Sequence, residues 1–355
     1  MTSQALASEF IRTSVENGLG EIVLDRPKAL NALDTGMVRA IDATLRAWAD
    51  DHEVVAVMIT GAGGRAFCSG GDVRTVRQQW LEGLHDQAEG FFTEEYAMNL
   101  LIARFPKPIV AIADGICMGG GIGVAGHCSI CIVTDRSLLA MPETAIGFIP
   151  DVGTTYLLPS APGMAGRYLG VTGARMSGWD AVWSGLATHW VPADSLEALV
   201  SALRSTPADA AAIVNAAARW PSGHGSRPDA DDPAWTGASE LAAHRDEVDR
   251  MFASDDLGEV LAAIAAEPGD FARSTQASVV RMSPSAMRAA LDLLAHPLAT
   301  LEESLGRETQ VAHRMIREHD FQEGVRSVLV DKDGQAAWSP GLDELLAQAP
   351  GQPAH

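Results

Sequence analysis

The chain has 355 residues, 46 of them acidic against 26 Lys and Arg, for a formal net charge of −20. That balance excludes a basic face able to displace counterions from nucleic acid, so no nucleic-acid partner is expected. A hydrophobic share of 47% with 20% charged residues fits a soluble globular protein. No apolar run reaches the roughly 18 to 20 residues a membrane span needs, so no membrane partner is expected either.

The opening stretch MTSQALASEFIRTS holds no apolar signal core and a single Arg with an acid nearby, which predicts no leader and a cytoplasmic location. GEIVLDRP (20–27) reads as a strand ended by proline. Over 37–50, Val38, Ile41, Leu45 and Trp48 recur at helical spacing. VVAVMITG (54–61) reads as a buried strand entering the loop AGGRAFCSGGD, and KPIVAIADGICMGGG (107–121) repeats that device, followed by SICIVTD and SLLAMPE. Strands interleaved with single helices predict an α/β layered fold. After about residue 195 the character turns helical: SLEALVSALRS and ADAAAIVNAAARW, a polar loop at 221–233, then helical periodicity from 257 to 330. The expected organisation is an α/β core over 1–200 and a helical C-terminal region over 201–355.

Cysteines stand at 68, 117, 128 and 131, and HCSIC sets His127, Cys128 and Cys131 close together. That stretch alternates as a strand, and no second ligand pair stands at zinc-site spacing, so no metal is expected.

Two glycine-rich turns carry more weight. In FCSGGDV (67–73) a strand ends, Gly70 and Gly71 allow a tight turn, and Asp72 can cap the next helix. In GICMGGGIG (115–123) three consecutive glycines meet a helix start. Two bare amides aimed at one point make an oxyanion hole, each donor worth on the order of 100- to 1000-fold in rate. Neither loop fits a dinucleotide fingerprint or a P-loop, and no G-x-S-x-G elbow is present. MPETAIGFIPDVG (141–153) then places Glu143 and Asp151 in an apolar run without a balancing base, each directly after a proline that restricts the backbone. One such acid reads as a turn or helix cap; two, beside two glycine turns, read as chemistry.

AFCSGGDVR, DGICMGGGIGVAG, AMPETAIGFIPDVGTTYLLP and EHDFQEGVRSVLVDKD, in that order, resemble the crotonase (enoyl-CoA hydratase/isomerase) superfamily, and within it the 3-hydroxyisobutyryl-CoA hydrolase branch. The resemblance runs from about Gly20 to Trp338. It implies a crotonase-like β-spiral of ββα repeats with a mainly helical C-terminal region. It implies oxyanion donors at the amides of Gly71 and Gly120, and CoA contacts along Lys28, Ala29, Ala66, Ser69, Gly70, Gly71 and Asp72. A hydratase of this family has one acid two positions beyond the glycine triplet, where this chain has Gly123, and another at the position of Glu143. The hydrolase branch keeps Glu143, as nucleophile or as base for water, and adds Asp151 to contact a substrate 3-hydroxyl or the water. Glu95 matches a further substrate-contacting position on a helix. Arg65, Arg74 and Arg77 around the first glycine loop, with Arg26 and Lys28 in DRPKALNALD, offer local positive charge to an anionic phosphate. The implied reaction is cleavage of a short branched or 3-hydroxy acyl-CoA, foremost 3-hydroxyisobutyryl-CoA of valine breakdown, with no metal or redox cofactor because CoA arrives as part of the substrate. A hydratase or isomerase on another acyl-CoA, and a non-catalytic acyl-CoA binder, are the alternatives. The resemblance leaves room for a homo-oligomer.

Overall fold

Asn17 and Gly18 sit at φ 52° and 89° and turn the chain between strands β1 (Ile11–Glu16) and β2 (Leu19–Leu24), which pair antiparallel. An Asn-Gly pair has the twist such a hairpin requires. The computed structural model describes residues 8–339; the first half of the stretch 1–14 read for a leader and the end of the expected C-terminal region lie outside them. β2 stands close to the strand expected at 20–27, whereas β1 was not expected.

The described residues divide into two compact units: one from the stretches 8–72, 93–139 and 176–240, the other from 73–92, 140–175 and 241–339. The expected boundary near 200 falls inside the first unit. The cause is visible in its sheet, ordered β1-β2-β3-β5-β7-β10 with β3 Ala56–Gly61, β5 Ile109–Ile112, β7 Ile130–Val133 and β10 His189–Trp190. All neighbours after β2 are parallel. Alternate residues on one face, Met58, Val110, Ile112, Ile130 and Ile132, form a buried cluster with Leu199, Leu203, Ala210 and Val214. The helices Leu196–Ser205 and Ala210–Ala217 therefore cover this sheet and belong with it.

A second sheet, β4-β6-β8-β9, contains β4 Ala66–Cys68, β6 Ile116–Met118, β8 Leu138–Ala140 and β9 Met176–Ser177. β4 and β6 run parallel, with Ala66 opposite Ile116 and Cys68 opposite Cys117. The register has a direct consequence: the two glycine turns that follow these strands must leave the sheet side by side. The expected helix over 37–50 is found at Thr35–Ala49, its first turn capped by the Asp34 side chain accepting from Met37 N at 2.8 Å.

The second unit is mainly helical, including Pro284–Ala295, Leu301–Met315 and His319–Val325, the last running into a π-turn at Arg326–Val330. Among the described residues no helix is long and apolar enough to cross a membrane.

Candidate active site

Gly70, at φ +116°, lets the chain reverse after β4. The turn is then laced to the segment before it: Ser69 N donates to Leu30 O at 3.0 Å, Leu33 N to Gly70 O at 2.9 Å and Asp72 N to Leu33 O at 2.7 Å. In this parallel bridge Gly71 lies opposite Leu33, so its amide faces away from the bonds its neighbours make. On the other strand, Gly119 turns the chain at φ 47° into the buried helix Gly120–Ala125, whose first amides have no partner within the helix. Gly121 passes so close to Cys68 that a Cβ there would overlap the Cys68 carbonyl.

The two turns meet at Gly120. A methyl added there would lie 3.1 Å from the Gly71 nitrogen and would overlap Glu95 Oε1. Gly71, Gly120 and Glu95 thus converge. Glu95 comes from the helix His85–Ala103 and is 2% exposed, while its neighbour Glu94 turns outward to pair with Arg39 at 2.6 Å. Adjacent acids on one helix therefore meet opposite fates, one solvated and one buried beside two amides.

The stretch implied for CoA contact gathers around the same turn. Lys28 and Ala29 lie on the 3₁₀ turn Pro27–Ala29, and Ser69 Oγ donates to Ala29 O at 3.3 Å. Asn31, absent from the sequence reading, is what fixes this arrangement. Fully buried at φ 58°, it donates to the carbonyls of Ala62 and Ala66, each at 2.9 Å, and accepts from Arg26 N at 2.9 Å. A left-handed Asn is tolerated where other side chains are not, and the asparagine of KALNAL was the available signal. The structure also corrects the charge reading. Arg26 is engaged with Asp72 at 2.9 Å, and within the second unit Arg77 donates to Gln322 O at 2.8 Å; neither is an uncommitted cation.

In the second unit Glu143 opens the 3₁₀ turn Glu143–Ile146, ended by Gly147 at φ 70°. Its side chain is buried, 7% exposed, and that of Asp151 is 5% exposed. The main chain of the turn is tied on several sides: Phe148 N to Glu143 O at 3.0 Å, Ser283 N to Thr144 O at 3.0 Å, and Thr144 Oγ1 to Val171 O at 3.1 Å. Phe148, between the two acids, stacks on Phe92 with centroids 5.0 Å apart and leans on Phe321 at 5.6 Å. The tail motif EHDFQEGVR finds its purpose here. The helix His319–Val325 lies backbone to backbone against the Glu143 turn: a Cβ on Gly324 would come within 2.5 to 2.7 Å of Ile146 main-chain atoms, and one on Gly147 would overlap the Asp320 carbonyl. Asp320 in turn accepts from Ser283 Oγ at 2.5 Å and Ser285 Oγ at 2.6 Å. Gly324→Ala is accordingly expected to lower stability by about 1 to 3 kcal/mol through overpacking, read by urea unfolding; an unchanged midpoint would mean the contact yields at no cost.

The four cysteines are buried and free. Burial pushes the Cys68 and Cys131 thiols up to about 12 and those of Cys117 and Cys128 well above the ordinary range, so thiolate chemistry is out of reach near neutral pH. Within the first unit, the paired amides of Gly71 and Gly120, with Glu95 beside them, can hold a developing oxyanion; within the second, Glu143 and Asp151 are buried acids of the kind that serve as nucleophile or base.

The family model described as Enoyl-CoA hydratase/isomerase matches residues 19–349. The 3-hydroxyisobutyryl-CoA hydrolase, mitochondrial, of Xenopus laevis is 38% identical over 331 residues, covering 92% of this chain and 83% of its own. The human protein of the same name is 36% identical over 344 residues, covering 96% and 86%. Among solved structures, a carnitinyl-CoA dehydratase from Mycobacterium thermoresistibile matches with TM-score 0.85 at 37% identity, covering 96% of this chain and 94% of that one. An enoyl-CoA hydratase from Rhodobacter sphaeroides matches with TM-score 0.82 at 36% identity, covering 96% and 97%.

Proposed function

The chain belongs to the enoyl-CoA hydratase/isomerase family, and from that premise we propose that it hydrolyses an acyl-CoA thioester, with 3-hydroxyisobutyryl-CoA as the substrate. The thioester oxygen is received by the amides of Gly71 and Gly120, which stabilise the charge that develops on it. Glu143 then acts in one of two ways. Its carboxylate oxygen attacks the carbonyl carbon, CoA leaves as thiolate and takes up a proton, and water opens the resulting mixed anhydride; or Glu143 takes a proton from the water whose oxygen attacks. Both routes end at the carboxylic acid and free CoA thiol. Asp151 contacts the 3-hydroxyl or the water, and Glu95 contacts the acyl group beside Gly120. The reaction calls on no metal or redox group, since CoA enters with the substrate.

One observation carries the choice of hydrolysis. Position 123, where a hydratase of this family has its first acid, is a glycine inside the buried helix Gly120–Ala125, whereas Glu143 is kept and Asp151 accompanies it. Relatives named as hydrolases over most of the chain support the same reading. The solved neighbours, named as a dehydratase and a hydratase, supply the second reading, water added to or removed from a double bond.

A single assay separates them. The purified chain is given a panel of acyl-CoAs while free thiol is followed with a thiol-reactive dye and enoyl absorbance is recorded. Thiol release supports the hydrolase. Loss of enoyl absorbance without thiol supports a hydratase, and binding with neither signal supports a non-catalytic carrier. Within the hydrolase reading, Asp151→Asn is expected to slow 3-hydroxylated substrates about 10- to 100-fold, the worth of a hydrogen bond to a charged group, and unsubstituted ones much less. Equal losses on both would contradict the assigned contact.

A further inference from the structure

Glu308 has no part in the chemistry above, yet it is a fully buried acid on the helix Leu301–Met315. Its carboxylate is spent on one loop. Oε2 accepts from Gly153 N at 2.7 Å; Oε1 accepts from Thr155 N at 3.1 Å and from Thr155 Oγ1 at 2.5 Å. That loop begins at Asp151, whose carbonyl accepts from Thr154 N at 2.9 Å and from Thr154 Oγ1 at 2.8 Å. Between them the chain bends through Val152 at φ 54° and Gly153 at φ 81°. A β-branched residue in the left-handed region is an outlier that persists only where its surroundings hold it, and the groups gripping the far end of this bend are Glu308's two oxygens.

The arrangement is costly. Burial, foremost, and the charge of Asp151 hold the Glu308 carboxyl up at about 8, against the pull of the three loop donors. An apolar residue of similar volume would spare the helix that desolvation. The acid is kept although the charge of Asp151, the residue just before the bend, works against its ionisation, and what it gains there is the fixed path of residues 151–155.

We propose that Glu308 is a positioning residue for Asp151, holding Gly153 and Thr155 so that the strained bend at Val152 presents the Asp151 side chain in one direction. The inference rests on the reading of Asp151 as a substrate-contacting acid. It deepens that reading by assigning the support to a helix about 150 residues further along the chain, in the part the sequence marks only as helical.

The test uses the full chain with 3-hydroxyisobutyryl-CoA and isobutyryl-CoA, recording kcat and KM by thiol release and folding by thermal melting. Glu308→Ala is expected to lower kcat on the hydroxylated substrate about tenfold or more, the scale of a small misplacement of a catalytic group, with KM and the unsubstituted substrate moving far less. Glu308→Gln, which fills the same space and keeps one acceptor, is expected to recover a large part of the loss. Thr155→Val, which removes one donor without opening a cavity, covers the case in which the alanine variant does not fold, and is expected to fall in the same direction with unchanged melting. In the Asp151→Asn background, Glu308→Ala is expected to add little further loss. Multiplicative losses in the double variant would overturn the positioning role, as would full kcat in folded Glu308→Gln and Thr155→Val. Failure of the underlying reading looks different: Asp151→Asn alone would keep full kcat, and any loss in the Glu308 variants would then run through something other than Asp151, which also overturns the inference.

Discussion

Glu143→Gln is expected to abolish thiol release, lowering kcat roughly 10²- to 10⁴-fold, the range associated with removing a positioned acid or base, and further if Glu143 is the nucleophile. The amide can neither form an anhydride nor accept the water's proton, so the variant does not depend on which route operates. The fold is expected to survive. The bonds that set the turn run through main-chain atoms, from Phe148 N to Glu143 O and from Ser283 N to Thr144 O, and Gln keeps the volume. A buried carboxylate replaced by a neutral amide also relieves desolvation. The melting temperature should therefore hold or rise while activity disappears, the usual signature of a site that trades stability for chemistry. Residual turnover near the native rate, in a folded variant, would remove Glu143 from the mechanism.

How much of this was readable in the chain depends on the range of the interaction. Local signals translated directly. The continuous apolar run VAVMIT became the buried strand β3, and Val38, Ile41, Leu45 and Trp48 became the buried face of Thr35–Ala49. The hairpin was missed although its Asn17-Gly18 turn was written out, because the strand before it, Ile11–Glu16, is largely exposed and lacks an apolar face to alternate. The helices at 196–217 were assigned to a C-terminal region because helical periodicity says which face is apolar, not which sheet it covers; Leu199 and Leu203 find theirs on β3, β5 and β7. Among the candidate residues, the glycine turns and the two acids stood out by composition. Asn31 and Glu308 did not. One acts through a left-handed backbone and carbonyls about 35 residues away, the other through amides about 150 residues away, and neither partnership leaves a pattern in its own neighbourhood.

The expected outcome for Gly120→Ala is a loss of kcat/KM on the order of 100- to 1000-fold, the worth of one oxyanion donor, with little change in stability. Gly120 is not among the residues at positive φ, and alanine suits a helix start at least as well as glycine. Backbone strain is thus not the cause; occupied space is. The new methyl would stand 3.1 Å from the Gly71 nitrogen and against Glu95 Oε1, in the room a thioester oxygen is proposed to use. Gly90→Ala, on the helix His85–Ala103 with nothing within 4 Å of the added carbon, serves as the control and should keep full activity. A displaced Glu95 could mimic the effect, and the double variant Gly120→Ala/Glu95→Ala resolves that. Removing the carboxylate frees the methyl from collision but leaves it between the two amides, so the double variant should stay as slow as Gly120→Ala. Recovery of activity in the double variant would instead place the damage on Glu95 and strip the paired amides of the role proposed for them.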